Sequence, residues 1–148
     1  MQANVQSNII QNNKIGTDIT GSYLVGATTL GGVNLAGDAT DACNTNIIQN
    51  NIIGGNGYGI VLESSSSFNQ ILSNYIGTNS LGANLGNINS GIIIQGSNTL
   101  PCTNNLIESN TIEFNGNGAG ATDFYGVFID GDPATPDNQD RLKLLLEA

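Results

Sequence analysis

Four eight-residue segments of the chain align without gaps, and this repeat constrains the fold more than any other feature. Each segment opens with Asn and has Ile two residues later, Asn five residues later and Ile seven residues later. The segments are residues 8–15, 46–53, 69–76 and 105–112, so their spacings are 38, 23 and 36 residues. Periods of this size, built from short β-branched runs, are typical of solenoid proteins.

A second apolar motif follows each block. The tripeptides 33–35, 60–62, 92–94 and 127–129 each follow a Gly and alternate with period 2, which predicts strands. Three short strands per coil predict an all-β fold, a parallel β-helix of about four coils. The predicted inward residues are Ile10, Ile15, Val33, Leu35, Ile48, Ile53, Ile60, Leu62, Ile71, Ile76, Ile92, Ile94, Ile107, Ile112, Val127 and Ile129.

One Asn of each block falls at the bend between two predicted strands. Asn tolerates left-handed backbone, and its amide can bond the Asn of the coils above and below. We therefore expect a structural asparagine ladder, and a ligand-binding row of amides is the alternative. The residues are Asn13, Asn51, Asn74 and Asn110.

Two loop sequences carry a resemblance to a known family. Residues 15–21 read IGTDITG, and residues 76–82 read IGTNSLG and are followed by Leu85-Gly86-Asn87. They resemble repeats of the right-handed parallel β-helices of the pectate lyase-like superfamily, in a variant of secreted bacterial surface proteins and some viral proteins. The resemblance covers residues 4–132 and implies a right-handed coil and a secreted, cell-surface or virion location. It leaves the activity open, because the superfamily includes lyases, hydrolases, adhesins and tailspikes.

The outward row of one predicted sheet is the candidate ligand or partner surface. In the superfamily, loops beside this sheet wall a carbohydrate cleft. The row is apolar for such a cleft, which indicates either a cover of inserted loops or a docking surface for another chain. The row comprises Asn34, Val61, Ile93 and Phe128. The loop residues expected to cover it are Tyr23, Leu24, Val25, Leu81 and Leu85.

Carboxylates on the same face are weak candidates for catalysis. Glu63 and Asp130 share an outward column, two coils or about 9.6 Å apart, near the upper limit for an inverting glycosidase pair. Solvated surface acids are the alternative. Asp130, Asp132 and Asp137 are weak candidates for a Ca²⁺ site, and no other metal or cofactor is expected. The basic residue that superfamily lyases use is missing from this face, because Lys14, Arg141 and Lys143 fall elsewhere.

The chain after residue 132 breaks the repeat. Pro133 and Pro136 interrupt it, so we assign residues 1–132 to the β-helix module and 133–148 to a tail or cap. The Leu-rich end predicts a short capping helix, with a vector-derived or neighbouring-domain segment as the alternative. Cys43 and Cys102 occupy equivalent corners two coils apart, so we expect free thiols.

Charge and composition limit the function. Three basic against twelve acidic residues give a net charge of −9, which disfavours nucleic-acid binding, and no His is present. No apolar run could span a membrane, and residues 1–7 lack signal-peptide features. The protein either reaches its site by another route or is a module of a longer protein, and we expect the second because the repeat is already under way at Asn8. We expect a non-catalytic structural or adhesive module whose partners are other chains, itself through coil edges, or glycans. The alternative is a carbohydrate-active enzyme, a polysaccharide lyase or glycoside hydrolase, or a fragment of one.

Overall fold

Short strands and tight bends build the chain into stacked coils. The computed structural model describes residues 5–25, 29–97, 99–116 and 125–130, and the backbone of 143–145. These residues form thirteen strands: β1 (Ile9–Gln11), β2 (Lys14–Ile15), β3 (Gly31–Ala36), β4 (Ile47–Gln49), β5 (Ile52–Ile53), β6 (Tyr58–Glu63), β7 (Gln70–Leu72), β8 (Tyr75–Ile76), β9 (Ile92–Gln95), β10 (Leu106–Glu108), β11 (Thr111–Ile112), β12 (Val127–Asp130) and β13 (Lys143–Leu145).

The strands form three parallel sheets, and each coil contributes one strand to each sheet. Sheet 1 has the order β1-β4-β7-β10-β13, sheet 2 the order β2-β5-β8-β11, and sheet 3 the order β3-β6-β9-β12. Ile48 pairs with Ile10 and Ile71, and Ile71 pairs with Ile107, as the aligned blocks predict. The predicted all-β parallel solenoid is confirmed.

The core is the interior of the coils. Every predicted inward residue belongs to the buried cluster or packs against it. The central coils are the most completely closed, since Ile48, Ile60, Ile71 and Ile92 have no exposed surface. Their stacked side chains bury apolar surface, which is the main favourable term in folding.

A glycine precedes the alternating residues of each strand of sheet 3, and at Gly32, Gly59 and Gly91 the interior has no room for a side chain. A Cβ at Gly59 would lie 2.3 Å from the carbonyl oxygen of Gly91 and 2.7 Å from Cγ2 of Ile76. A Cβ at Gly91 would lie 2.8 Å from Cγ2 of Ile112. Two successive residues, Gly59 and Ile60, thus face inward, and strict alternation begins after them.

The left-handed residue at the bend between sheets 1 and 2 is not the ladder Asn, so that part of the prediction is wrong. The positive φ belongs to the residue before it: Asn12, Asn50, Ser73 and Ser109 have φ between 53° and 58°. The ladder Asn needs ordinary backbone, because its N–H also takes part in the ladder.

The predicted capping helix is wrong for the part of the tail that the structure describes. Lys143–Leu145 form strand β13, which extends sheet 1 by pairing in parallel with β10. Lys143 pairs with Leu106, and Leu144 with Ile107. The domain boundary at residue 132 stays a prediction.

The two cysteines are free, as predicted, and both are buried. The thiol of Cys43 lies 3.1 Å from the carbonyl oxygen of Ala36, and that of Cys102 lies 3.4 Å from the carbonyl oxygen of Gln95. Within the described part of the chain, no helix is long and apolar enough to cross a membrane.

Substitution of Ile71 by Asp tests the core assignment. The change buries a carboxylate where no polar partner exists, so we expect a loss of about 4 kcal/mol or more in the free energy of unfolding. The matched control is Gln70→Asp, at the exposed neighbour in β7, which we expect to stay within about 0.5 kcal/mol. Urea unfolding measures both, and similar losses would place Ile71 outside the core.

Ser73 tests the left-handed position. Ser73→Asn should raise the free energy of unfolding by a few tenths of a kcal/mol, since Asn tolerates this backbone, and Ser73→Val should lower it by about 1–2 kcal/mol. The same two changes at exposed Ser80, whose φ is not positive, serve as controls. Equal effects at both positions would contradict the assignment.

Candidate functional site

A groove of about 460 Å³ runs along the outer face of sheet 3. It crosses all four coils, because strands β3, β6, β9 and β12 each contribute outward side chains to it. The lining residues are Thr29, Leu30, Gly31, Asn34, Tyr58, Val61, Glu63, Ile93, Gln95, Phe128 and Asp130. The predicted surface row and both predicted carboxylates therefore line one groove.

The floor of the groove is apolar. Val61 and Ile93 stand side by side in register and keep only 8% and 7% of their surface exposed. At the fourth coil, Phe128 stacks on Tyr125 with ring centroids 5.2 Å apart and planes 18° from parallel. Gly31 leaves space in the groove beside Val61, because a Cβ at position 31 would lie 3.0 Å from Cγ2 of Val61.

One side of the groove is a polar column. Glu63 pairs in register with Gln95, and Gln95 with Asp130, so one residue from each of coils 2, 3 and 4 stands in line. The Asn34 amide donates to Oε1 of Glu63 over 3.2 Å. The register places the two carboxylates two coils, or about 9.6 Å, apart. Amide donors and carboxylate acceptors thus alternate beside an apolar floor.

From the sequence, inserted loops are expected to cover the outward row of sheet 3, and this expectation is wrong for four of the five loop residues that it names. Tyr23, Leu24, Val25 and Leu81 are 48–88% exposed. The first loop lies over sheet 2 instead: a Cβ at Gly21 would lie 2.7 Å from Cδ1 of Ile52. Leu85 is buried, and its carbonyl oxygen accepts the Gly55 N–H.

Hydrogen bonds hold the Asp18 segment of the first coil's loop and the Asn79 segment of the third coil's loop together. The Asp18 carboxylate accepts the Thr20 hydroxyl and the N–H groups of Ser22 and Tyr23, and these bonds lower the pKa of Asp18 to about 2. The Asn79 amide then donates to the Gly21 carbonyl oxygen over 2.9 Å, which ties the third coil's loop to the first coil's loop. The short corner of the second coil leaves room for this contact.

The predicted asparagine ladder is present. The N–H and the Nδ2 of Asn51 both donate to Oδ1 of Asn74, each over 3.0 Å. Asn74 donates in the same way to Asn110, and Asn13 to Asn51. The second Nδ2 hydrogen of Asn74 goes back to the Ile48 carbonyl oxygen of the preceding coil. These amides are saturated by one another, which supports the structural interpretation over a ligand-binding row.

Two further ladders run parallel to it. The Asn that opens each block forms one, since Asn46 donates through N–H and Nδ2 to Oδ1 of Asn69 over 2.9 and 3.1 Å. The second of them is Asn56–Asn87–Asn115, whose N–H to Oδ1 distances are 3.0 and 3.2 Å, and the sequence reasoning predicted neither ladder. The sequence signal for this last ladder is an Asn three residues after the Ile that closes a block, which holds for Asn56 and Asn115. In the third coil an insertion places the ladder residue, Asn87, later in the chain.

The sequence reasoning also missed four groove residues, Thr29, Leu30, Gly31 and Tyr58. Tyr58 could have been found from the strand register, because it opens β6 and pairs with Gly31. Asp132 and Asp137 lie outside the described residues, so the Ca²⁺ site stays a prediction. Among the described residues, no group of three or more acidic or thiol side chains is placed to hold a metal ion.

The groove has the chemistry of a binding surface. Its side chains offer hydrogen-bond donors and acceptors beside apolar contact area, the usual composition of a ligand site. Lys14 is the one base among the described side chains, and it lies in sheet 2, against the loop at Gly21. Comparisons of the chain with protein-family models, with curated proteins and with solved structures find no match.

Asn74→Asp tests the ladder. The carboxylate still accepts from Asn51, but it cannot donate to Asn110 or Ile48, and its charge is buried. We expect a loss of about 3 kcal/mol in the free energy of unfolding at neutral pH. Because burial raises the pKa of the new carboxyl in the folded state, its neutral form is favoured there, and the loss should shrink as pH falls.

The control is Asn84→Asp, since Asn84 is exposed and only accepts, from the Gly86 N–H. Urea unfolding of both variants at neutral pH and at about pH 3 gives the comparison. A loss at Asn74 no larger than at Asn84, or one without pH dependence, would contradict the ladder's structural role.

Proposed function

We propose that this chain is a non-catalytic β-solenoid module of a secreted, cell-surface or virion protein, and that it adheres to a glycan through the groove of sheet 3. The observation that carries the proposal is the groove itself, with a polar column on one side of an apolar floor. Sugar hydroxyls suit the amides and carboxylates, and the C–H faces of a sugar ring suit Tyr58 and Phe128.

The scaffold supports a binding role because it holds the groove rigidly. Glu63, Gln95 and Asp130 lie on neighbouring strands of sheet 3 that pair in register. Asparagine ladders fix the bends that connect the sheets. A preorganised surface loses little conformational entropy when a ligand binds, which favours adhesion. The groove also runs along the rod axis, so an extended chain fits it better than a compact ligand.

The proposed location rests on the loop sequences. The IGTD and IGTN stretches, which resemble repeats of secreted bacterial and viral proteins, form the paired loops of the first and third coils. Association with other chains or with a second copy through coil edges also stays a proposal, since edge strands offer unpaired backbone groups.

A glycoside hydrolase is the second candidate, because Glu63 and Asp130 line the same groove. About 9.6 Å between them slightly exceeds the spacing that suits an inverting pair. The Asn34 amide already engages Glu63. The spacing and this hydrogen bond favour binding over turnover.

A glycan array followed by a reducing-sugar assay tests the proposal. We expect the protein to bind at least one glycan class and to release no reducing ends. Tyr58→Ala should weaken binding about tenfold, the loss expected for one well-packed aromatic contact. The control Tyr23→Ala, at an exposed loop tyrosine outside the groove, should bind as the parent does.

Absence of binding to every glycan would overturn the proposal, and so would equal losses at Tyr58 and Tyr23. Cleavage of a glycan that is abolished by Glu63→Ala or Asp130→Ala would establish the hydrolase instead.

A further inference from the structure

We infer that the glycan bound in the groove carries positively charged amino groups, as an oligosaccharide of unacetylated amino sugars does. The inference rests on the proposed function and names the class of glycan. It follows from three features of the groove: the spacing of its polar column, the charge of that column and the burial of its floor.

The spacing matches a sugar chain laid along the rod. Successive coils are about 4.8 Å apart, close to the length of one pyranose unit in an extended chain. Glu63, Gln95 and Asp130 come from consecutive coils, so each would face one successive sugar. The polar column therefore presents an acid, an amide and an acid to three neighbouring units.

The charge of the column selects the ligand. Both ends carry a carboxylate, and none of the described lining residues is basic. The chain as a whole has a net charge of −9. An acidic glycan such as a polyuronate or a sulfated chain is repelled, because like charges on opposing surfaces oppose binding.

Burial separates a cationic glycan from a neutral one. Glu63 and Asp130 are already partly buried, and a ligand seated over Val61 and Ile93 would strip more water from them. Desolvating a carboxylate is costly unless a partner compensates for the lost water. A sugar hydroxyl donates a hydrogen bond but leaves the buried negative charge uncompensated, whereas an ammonium group donates and neutralises that charge.

The test uses three tetrasaccharides that share a β-1,4-glucan backbone and differ at carbon 2: glucosamine, N-acetylglucosamine and glucose. Calorimetry at mildly acidic pH, where the amino groups are protonated, measures the affinity of the full chain for each. We expect the glucosamine tetramer to bind about tenfold or more tightly than the other two, because ion pairs replace hydroxyl contacts at the two carboxylates.

Charge-neutralising variants locate the effect. Glu63→Gln and Asp130→Asn should each reduce this preference, because each removes one of the two carboxylates. Glu113→Gln changes the net charge equally at an exposed position outside the groove, and it should keep the preference. Raising the pH until the amino groups lose their protons should abolish the preference in the parent protein.

The remaining outcomes are distinguishable. Equal binding of all three sugars, unaffected by the variants, overturns this inference and leaves the proposed function standing. Binding of none of them, together with an empty glycan array, overturns both. A preference that Glu113→Gln reduces as much as Glu63→Gln indicates non-specific attraction and overturns the inference. Tetralysine binding as tightly as the glucosamine tetramer, with the same sensitivity to Glu63→Gln, would make the ligand a cationic peptide and overturn it too.

Discussion

The side-chain amide of asparagine is the group on which this structure depends. At each bend of the coil the chain turns from one sheet to the next, and the backbone polar groups of the bend would otherwise be left without strand partners. An Asn there receives bonds from the coil before it and donates both to the coil after it and back to the coil before it, as Asn74 does with Asn51, Asn110 and Ile48. Because a buried polar group without a partner is costly, three such ladders make each coil depend on its neighbours.

The ladders also explain how the groove can exist. Strands of two to six residues are not stable alone. When the ladders stack them in register, the strands of sheet 3 place every second residue outward. The apolar floor and the polar column are consequences of that alternation, repeated through four coils at one spacing. A shift of one residue in β6 or β12 would turn Glu63 or Asp130 into the core.

Much of the fold follows from the sequence, because the repeat is local and gapless within each block. The spacing of Ile10, Ile48, Ile71 and Ile107 determines the register of sheet 1, and the Gly-preceded tripeptides determine that of sheet 3. The groove column Glu63–Gln95–Asp130 follows from the same register. What the sequence could not show depends on tertiary context: the side on which the Asp18 loop folds, the ladder partner of the displaced Asn87, and the strand at Lys143, where the Leu-rich pattern favours a helix by local propensity alone.

Hydrogen exchange of the asparagine side-chain amides tests the central claim most directly. If the ladders hold the coils together, the Nδ2 protons of buried Asn51, Asn69 and Asn74 should exchange only with global unfolding of the coil, as the backbone amides of Ile48 and Ile71 do. The Nδ2 protons of exposed Asn84 should exchange at the rate of a free asparagine. Unprotected Nδ2 protons at Asn51, Asn69 and Asn74 in an otherwise protected core would contradict the account.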